Sequence, residues 1–580
     1  MARAPRAASH APPPALPAST PHADVPLSSR SATLGRLAAE TFDVLVVGGG
    51  ITGAGVARDA ALRGLSVALV ERDDWASGTS SRSSRLVHGG VRYLEHGHLS
   101  LVFESSRERR TLLRIAPHLV RPLEFTWPVY EGARVPRWKL GAGLLLYDAL
   151  ALFRNVAPHR RLSAAQVALR EPSVRREGLV GGATYYDAAT DDARLTLANA
   201  VAAVEAGAAA LNHAEVRSLL REGGPGSPVT GALVADALGG GEIRVRARAV
   251  VNATGPWSDT LRQLDDAGAA ESVRGSKGVH VSVPRERIGN RGALTLISPL
   301  DGRVMFVLPA GAQAIVGTTE TATAAPPGEV RASREDIDYL VRSANAFFPD
   351  ARLTASDVVS AWAGIRPLVA SAYRANGDGA PAATRASREH AIERSASGVL
   401  TVSGGKLTTY RSMAAEVVDA VEEALGRPRP TASRTAELPL PGGDLASLDA
   451  AVEAAERTVG ALTEAPRAVA ERLVAAYGTR WRDVWALAEL DPALAAPVVS
   501  GLPYRRAELA YAVEREMACT LADLLVRRTR VAHETRDHGR SAAVVAAAVV
   551  APRLGWDAGA RAAALAAYER EAERLFGVEP

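Results

Sequence analysis

An apolar run followed by three glycines is the first stretch in this chain of 580 residues where spacing alone indicates chemistry. Val44 to Val47 is typical of a strand buried on both faces, and the run stops at Gly48. Gly48 permits a tight turn, Gly50 lets backbone approach a pyrophosphate, and Gly53 allows the next helix to pack closely on the strand. That helix starts near Ile51, where its amides and dipole favour an anion. The pattern predicts a phosphate-binding turn.

A carboxylate after the next strand completes this unit. Ser66 to Val70 predicts the strand, and Glu71 follows it directly. Glu71 lies about 20 residues past the glycines, where a carboxylate can accept hydrogen bonds from both hydroxyls of an adenosine ribose. Glycine turns alone are common, but here strand, turn, helix, strand and carboxylate form one uninterrupted unit. The unit predicts a dinucleotide site for FAD or NAD rather than NADP.

Hydroxyl and guanidinium groups are concentrated in the loop that follows, Trp75 to Glu95. Its centre is the run Ser80-Ser81-Arg82-Ser83-Ser84-Arg85, and Leu86-Val87-His88-Gly89-Gly90 comes next. Such groups are suited to hydrogen bonds with a pyrophosphate and a flavin ring. The whole loop resembles the signature of the FAD-dependent, aerobic glycerol-3-phosphate dehydrogenases.

Later motifs resemble the same family in the same order, over about residues 40 to 578. They are Tyr185-Tyr186-Asp187, Asn252-Ala253-Thr254-Gly255-Pro256-Trp257, Gly275-Ser276-Lys277-Gly278-Val279-His280, Gly364-Ile365-Arg366-Pro367-Leu368, Ser387-Arg388-Glu389-His390 and Gly404-Gly405-Lys406-Leu407-Thr408-Thr409-Tyr410-Arg411. The resemblance implies oxidation of sn-glycerol 3-phosphate to dihydroxyacetone phosphate by hydride transfer to noncovalent FAD, with a quinone as electron acceptor. It also implies FAD contacts at Gly48, Gly50, Ile51, Thr52, Gly53, Glu71, Arg72, Thr79, Ser80, Ser81, Ser84, Leu86, His88, Val216, Ala253, Gly255, Trp257, Gly405, Lys406, Leu407 and Thr408.

Two histidines are candidates for the base that removes the hydroxyl proton. Histidine has suitable unperturbed acidity for this step. His88 stands between the serine-rich loop and Arg92, which is expected to place it near the flavin ring. His280 is the competitor, and the sequence leaves the choice between them open.

Three arginines at the family positions are the expected clamp for the substrate phosphate: Arg92, Arg366 and Arg388. Guanidinium groups bind phosphate oxygens in pairs, so three in one pocket would hold a dianion far better than a monocarboxylate. Lys406 stands at a helix start, where it can stabilise negative charge on the flavin or the phosphate. We count these cations with His88 and His280 as the candidate catalytic residues.

The elements that must position these groups predict an α/β fold. We expect a Rossmann-like FAD-binding domain of the D-amino-acid-oxidase type, an antiparallel sheet as a cap, and an all-α domain at the C-terminus. The predicted flavin-binding segments are about 39–110, 185–270 and 357–429, and the cap is about 111–184 and 271–356, all within an oxidoreductase domain of residues 39–429. Alanine-rich helical patterns then predict a separate domain over 430–580.

Two segments are expected to lie outside this scheme. Residues 1–38 are rich in Ala, Pro, Ser and Arg with few bulky apolar residues, which predicts a disordered tail. An alanine- and glycine-rich insertion, Ala370 to Ala383, departs from the family pattern.

The composition of the chain bears on whether it binds nucleic acid, forms a disulfide or binds a metal. The net charge is +4 with a pI near 9.2, and no basic stripe with interleaved aromatics indicates nucleic acid. Cys519 is the only cysteine, which rules out a disulfide within the chain and agrees with a reducing compartment. We expect no metal, because the carboxylates near Asp191 are better suited to capping a helix.

The expected location is cytoplasmic, with peripheral contact at the cytoplasmic face of a membrane. No stretch of 18 or more apolar residues is present, but Leu140 to Phe153 can form an interfacial helix. The sequence has neither a second nucleotide motif nor a set of cysteines for an iron–sulfur cluster, so reduced flavin must pass its electrons to an acceptor that diffuses to it. The family resemblance implies a quinone, and oxygen is the alternative. The oligomeric state stays open, with a homodimer as one option.

Two rival functions remain at this stage. An amine oxidase of the same fold would bind a carboxylate and pass electrons to oxygen. A flavin-binding sensor without turnover would keep Gly48 to Glu71 but would not need the three arginines.

Overall fold

The computed structural model describes residues 29–224, 226–369 and 390–579. The strands in these ranges are β1 (Thr41–Val47), β2 (Val67–Val70), β3 (Leu86–Val87), β4 (Val120–Tyr130), β5 (Arg160–Leu162), β6 (Leu179–Thr190), β7 (Ala209–Leu211), β8 (Ala214–Arg221), β9 (Val229–Asp236), β10 (Glu242–Asn252), β11 (Val273–Pro284), β12 (Ala293–Ile297), β13 (Val304–Ala310), β14 (Gln313–Gly317), β15 (Thr321–Ala322), β16 (Ala332–Ser333), β17 (Ser360–Val369), β18 (His390–Arg394), β19 (Leu400–Gly404) and β20 (Val578–Glu579).

The α-helices of the same ranges are α1 (Arg30–Ala39), α2 (Ile51–Leu62), α3 (Leu99–Ile115), α4 (Arg137–Leu150), α5 (Ala164–Arg170), α6 (Asp192–Glu205), α7 (Ser258–Asp265), α8 (Arg285–Ile288), α9 (Arg334–Asn345), α10 (Tyr410–Ala424), α11 (Leu448–Val459), α12 (Pro466–Tyr477), α13 (Trp481–Leu490), α14 (Arg506–Arg515), α15 (Val531–Glu534), α16 (Arg540–Leu554) and α17 (Ala558–Phe576). None of these described helices is long and apolar enough to cross a membrane.

The first sheet carries the glycine turn. Its main path is β18-β19-β10-β1-β2-β7, and β9 and β8 extend from β10. β1 runs parallel to β2 and β10, with Val47 opposite Val70 on one side and Asn252 on the other. The carboxyl ends of these strands therefore meet at one edge, where ligands bind in open α/β sheets. Buried cores cover both faces of the sheet, as the apolar run at β1 predicts.

The second sheet forms the cap. Its path is β15-β11-β14-β13-β12-β4-β6-β3, with β17 paired to β11 and β5 to β6. Most pairs are antiparallel, and α9 packs in the core of its outer face. The predicted α/β fold with an antiparallel cap is confirmed.

The cap extends past its predicted boundaries at two strands. β6 and β17 lie in this sheet, although the boundaries drawn from the sequence put residues 185–190 and 360–369 in the flavin-binding segments. The reason is long-range pairing: β17 runs antiparallel to β11 from Ser282 opposite Ser360 to Val273 opposite Val369. No local pattern in residues 360–369 identifies that partner.

The prediction of a disordered tail through residue 38 is wrong for its last part. α1 begins after Ser29, whose hydroxyl accepts from the Ala32 amide. Leu37 is fully buried in the core beneath the first sheet, and the Arg30 guanidinium pairs with the Asp236 carboxylate at 2.5 Å. Burial against the sheet supplies the stabilisation that this short segment lacks alone. Residues 1–28 lie outside the described ranges.

The C-terminal helices form two cores of their own and dock on the first domain. One core includes α11 to α14, and the other includes α14, α16 and α17. Arg528 and Arg530 cross the junction: Arg528 pairs with Asp74 at 2.5 Å and Arg530 with Asp192 at 2.5 Å. β20 pairs with β16 next to the cap. The helical unit therefore contacts both the FAD-binding sheet and the cap.

Candidate active site

The glycine turn leaves no room for side chains. Gly48 has a φ of 108°, and a Cβ there would lie 2.7 Å from the carbonyl oxygen of Ala253. A Cβ on Gly53 would lie 1.9 Å from the Gly48 carbonyl oxygen, so α2 can approach the turn only with glycine. The Ile51 amide donates to Ser80 Oγ at 2.9 Å. The serine-rich loop is thereby joined to the first turn of α2.

Glu71 is held at the end of β2 by backbone donors. Its carboxylate accepts from the Gly49 amide at 2.6 Å and from the Asp73 amide at 2.8 Å. Burial raises the pKa of Glu71, while these two hydrogen bonds oppose the rise. The carboxylate lies at the cleft wall, where the sequence analysis placed a ribose-binding group.

A cleft with about 1260 Å³ of empty space, its open mouth included, runs from the glycine turn to the start of α10. Most residues predicted to contact FAD line it. These are Gly48, Gly50, Ile51, Thr52, Glu71, Arg72, Thr79, Ser80, Val216, Ala253, Gly255, Trp257, Gly405, Lys406 and Leu407. They come from six separate stretches of the chain, which the fold brings together at one edge of the first sheet.

The turn that carries His88 is bound on the side of α10. The His88 amide donates to Thr408 Oγ1 at 3.1 Å, and Thr408 Oγ1 donates to the His88 carbonyl at 3.3 Å. The His88 ring lies parallel to the Tyr93 ring at 6.5 Å. Lys406 Nζ lies 3.9 Å from the centre of the Tyr93 ring and donates to Ser105 Oγ at 3.3 Å. Thus His88 and Lys406 lie around one aromatic ring.

His280 and Arg366 lie together on the face of the cap sheet that meets the serine-rich loop. His280 Nε2 and Ser84 Oγ are 2.8 Å apart, and the His280 ring stacks on Trp362 at 5.5 Å. Burial lowers the pKa of His280 to about 3, and the charges of Arg366 and Arg85 act in the same direction. The Arg366 guanidinium donates to Thr318 Oγ1 at 3.1 Å. The next residue along the strand, Pro367, lines the cleft.

Comparison with known proteins shows to which family this chain is related. A family model described as FAD dependent oxidoreductase matches residues 43–411, and one described as C-terminal domain of alpha-glycerophosphate oxidase matches residues 433–561. Glycerol-3-phosphate dehydrogenase 2 of Mycobacterium tuberculosis is 41% identical over 92% of this chain and 88% of its own length. The mitochondrial glycerol-3-phosphate dehydrogenase of Homo sapiens is 38% identical over 89% of this chain and 71% of its own length.

The chain belongs to the FAD-dependent glycerol-3-phosphate dehydrogenase family.

Solved structures agree with this assignment. The glycerol-3-phosphate dehydrogenase from Bacillus halodurans, solved in complex with FAD, is 33% identical, with a TM-score of 0.76 over 95% of this chain and 98% of that one. L-alpha-glycerophosphate oxidase from Mycoplasma pneumoniae is 19% identical, with a TM-score of 0.53 over 69% of this chain and 99% of that one. At 19% identity, this second similarity supports the shared fold and not a shared activity.

Six residues assigned to FAD from the family resemblance do not line the cleft in this glycerol-3-phosphate dehydrogenase family member: Gly53, Ser81, Ser84, Leu86, His88 and Thr408. Gly53 packs behind the turn, and the side chains of Ser81 and Leu86 are buried. Ser84 contacts His280, while Thr408 holds the His88 turn.

A second group of residues lines the cleft without having been predicted from the sequence to contact FAD: Val47, Asp73, Ser77, Gly78, Ala214, Glu215, Thr254, Pro256, Thr260, Leu261, Leu264, Pro367, Val402 and Gly404. Most of them flank residues that were predicted. Thr260, Leu261 and Leu264 belong to α7, whose amphipathic pattern directly after Trp257 was the available signal.

The other two arginines of the predicted clamp are Arg92 and Arg388. Arg388 lies in residues 370–389, outside the described ranges, as does the insertion Ala370 to Ala383. The backbone of Arg92 lies in the short 3-10 turn Val91–His96.

One described group has donor atoms close enough for a metal, at the junction with the helical domain: Asp74, His213 and Asp523. Arg527 pairs with both carboxylates, at 2.5 Å with Asp74 and 2.9 Å with Asp523. Arg528 also pairs with Asp74. Because guanidinium groups already compensate the charge, we assign the group to an ion-pair network rather than a metal site.

Proposed function

We propose that this chain is a FAD-dependent dehydrogenase that oxidises sn-glycerol 3-phosphate to dihydroxyacetone phosphate. The observation that carries the proposal is one cleft with the glycine turn and Glu71 at one end and Lys406 and Pro367 at the other. Two glycerol-3-phosphate dehydrogenases, from Mycobacterium tuberculosis and Homo sapiens, are about 40% identical to it over most of the chain. An amine oxidase of the same fold lacks that support.

The residues of the cleft fit FAD. The glycine turn lines the cleft, and a Cβ on Gly48 or Gly53 would clash with the backbone that shapes it. The end of β2 provides a carboxylate for the ribose. Gly404 and Gly405 form a second turn with positive φ values of 76° and 82°, just before the start of α10. We propose that FAD is bound without a covalent link, since Cys519 lies on the helical domain, away from the cleft. Acid precipitation should then release the flavin into the supernatant.

We propose a separate role for each group in the oxidation of the substrate alcohol. Bound FAD supplies a hydride acceptor for the substrate carbon. His88 takes the hydroxyl proton, and Arg366, Arg92 and Arg388 hold the phosphate, with Lys406 adding positive charge. The dianionic phosphate fixes the carbon in place, which lowers the barrier by orientation.

Reduction by substrate under anaerobic conditions tests the activity. Glycerol 3-phosphate should bleach the flavin band at about 450 nm within the time of turnover. Glycine and L-proline should leave the band unchanged. Bleaching by an amino acid and not by glycerol 3-phosphate would contradict the proposal. If no substrate bleaches the band, the result would favour a flavin-binding sensor without turnover.

We propose a quinone as the acceptor, with the protein held at the cytoplasmic face of a membrane. Support comes from exposed apolar side chains on α4 and the turn after it, which we call the α4 surface: Trp138, Leu145, Leu146, Leu152 and Phe153. Trp138 is 72% exposed and Phe153 is 69% exposed. Exposed basic residues flank them, namely Arg134, Arg137, Lys139 and Arg154. This combination is suited to an anionic lipid surface.

The electron acceptor is decided by comparing two products. A soluble quinone analogue should be reduced in step with substrate oxidation, with little peroxide. Stoichiometric peroxide with negligible quinone reduction would identify an oxidase instead.

A further inference from the structure

The turn that carries His88 is held from two sides. On the side of α10, Thr408 bonds the His88 amide and carbonyl. On the cap side, the next amide along the chain, that of Gly89, donates to Asp187 Oδ1 at 2.9 Å. Successive amides of one turn are therefore fixed by groups from two different domains. Loss of either group would let the turn rotate.

Asp187 is in turn held by two buried partners. The Tyr147 hydroxyl donates to Asp187 Oδ1 at 2.6 Å and accepts from the Arg109 guanidinium at 2.8 Å. Arg109 also pairs directly with the Asp187 carboxylate. Asp187 is 4% exposed, and Arg109 and Tyr147 are equally inaccessible, so water does not compete for these bonds.

Gly89 packs so closely against Tyr147 and Ser106 that no side chain fits at this position. A Cβ on Gly89 would lie 2.2 Å from the Tyr147 hydroxyl oxygen and 2.7 Å from Ser106 Oγ. The backbone of the turn thus lies directly against the group that holds Asp187. The desolvation cost of a buried carboxylate and its arginine counter-ion can exceed their attraction, so stability alone does not explain this pair.

We propose that Asp187, oriented by Tyr147 and Arg109, is a positioning residue that sets the His88 turn for proton removal. It acts through the Gly89 amide and does not itself touch the substrate. The inference deepens the proposed function, because it rests on His88 as the base.

The test uses Tyr147→Phe, which removes one hydrogen bond to Asp187 and keeps the ring. Asp187→Ala is less suitable, because it would leave Arg109 buried without its counter-ion. Tyr185→Phe is the matched control: Tyr185 is a buried neighbour in the same core, its ring 6.2 Å from Tyr147, and its hydroxyl bonds Thr295 Oγ1 at 2.8 Å, away from the turn.

We expect Tyr147→Phe to lower kcat about tenfold with an unchanged KM for glycerol 3-phosphate, because proton removal depends on orientation. Tyr185→Phe should lower Tm by a similar amount with kcat retained. In a His88→Gln background, Tyr147→Phe should have almost no further effect on kcat, since residues that act through one another are not additive. Equal effects of the two tyrosine variants, or an undiminished effect without His88, would overturn the proposal.

Hydrogen exchange of the peptide containing Gly89 gives a readout that does not depend on turnover. The peptide should exchange faster in Tyr147→Phe and at the wild-type rate in Tyr185→Phe. If wild-type enzyme fails to oxidise glycerol 3-phosphate, the proposed function fails, and the exchange result still decides whether Tyr147 holds the turn. Unchanged exchange in Tyr147→Phe would overturn the inference by itself.

Discussion

At the scale of single residues, burial separates the two candidate bases. His280 is 3% exposed, its pKa is lowered to about 3, and Ser84 lies at hydrogen-bond distance from its Nε2. A histidine with so low a pKa is a weak base near neutral pH. His88 is only half-buried and lies on a turn beside Lys406. The geometry therefore favours His88 for proton removal.

His88→Gln is expected to lower kcat by roughly 10²-fold or more while FAD stays bound. His280→Gln, whose amide can still bond Ser84, should lower kcat less than about tenfold. Steady-state kinetics measure both effects, and a greater loss of kcat in His280→Gln would reverse the assignment.

Arg366→Ala is expected to raise the KM for glycerol 3-phosphate roughly tenfold or more, since a charge-assisted hydrogen bond to phosphate contributes about 1.5 to 3 kcal/mol. Arg92→Ala should behave similarly. Arg287→Ala is the control, because Arg287 lies on the cap and pairs with Asp357 at 3.3 Å without lining the cleft. If Arg366→Ala and Arg287→Ala have the same KM, the phosphate clamp is excluded.

At the scale of elements, α4 presents two different faces. Leu140, Leu144 and Tyr147 are buried against the cap, while the α4 surface is exposed. Asp148, the one acidic residue of the helix, is buried and bonds His159 at 2.7 Å, so the exposed side carries only basic and apolar groups. A helix with this division is suited to lie in a lipid interface.

Leu145→Ser combined with Phe153→Ser is expected to lower the affinity for phosphatidylglycerol vesicles by tenfold or more, measured by co-sedimentation. The reason is that burial of each exposed side chain in lipid contributes about 1 to 2 kcal/mol. Binding should also fall with added salt. Leu490→Ser is the control, since Leu490 is 85% exposed on the helical domain. Equal binding by both variants would show that α4 is not the lipid contact.

At the scale of the whole molecule, charges buried between domains hold the site together. Arg530 pairs with Asp191 and Asp192, and Asp192 accepts from the amide and hydroxyl of Ser83 in the serine-rich loop. Arg194 of α6 pairs with Glu516 of the helical domain at 2.7 Å. Breaking one of these buried pairs leaves an uncompensated charge and costs several kcal/mol. The helical domain therefore supports the loop that joins the cleft to the cap.

Buried neutral histidines should make the whole molecule less stable in acid. Burial, with the charges of Arg194 and other cations, lowers the pKa of His118 to about 3. Between about pH 6.5 and pH 3 the unfolded chain then binds a proton that the folded chain does not, so stability falls as pH falls. The same sign holds for His280.

His118→Gln is expected to reduce this pH dependence by about 1.4 kcal/mol per pH unit, the contribution of one proton. The fall in Tm between pH 6.5 and pH 4.5 should therefore be smaller in the variant than in wild type. Parallel Tm curves would mean that folding leaves the pKa of His118 unchanged.

The sequence by itself determined the local units and the family. The glycine turn, Glu71 and the helix start at Ile51 lie within one βαβ unit, so apolar period and glycine spacing were enough to predict them. The order of the family motifs along the chain also predicted the fold class. Each motif is a short run of neighbouring residues, so it can be recognised without the tertiary structure.

Only the tertiary structure decided which distant groups meet. The contacts of Asp187 with Gly89 and Tyr147, the pairing of β17 with β11, and the packing of α1 under the first sheet join segments far apart in the chain. The lowered pKa of His280 likewise depends on its burial and then on the charges of Arg366 and Arg85, all of which arise only after folding. Such contacts depend on topology and burial, which no local pattern carries.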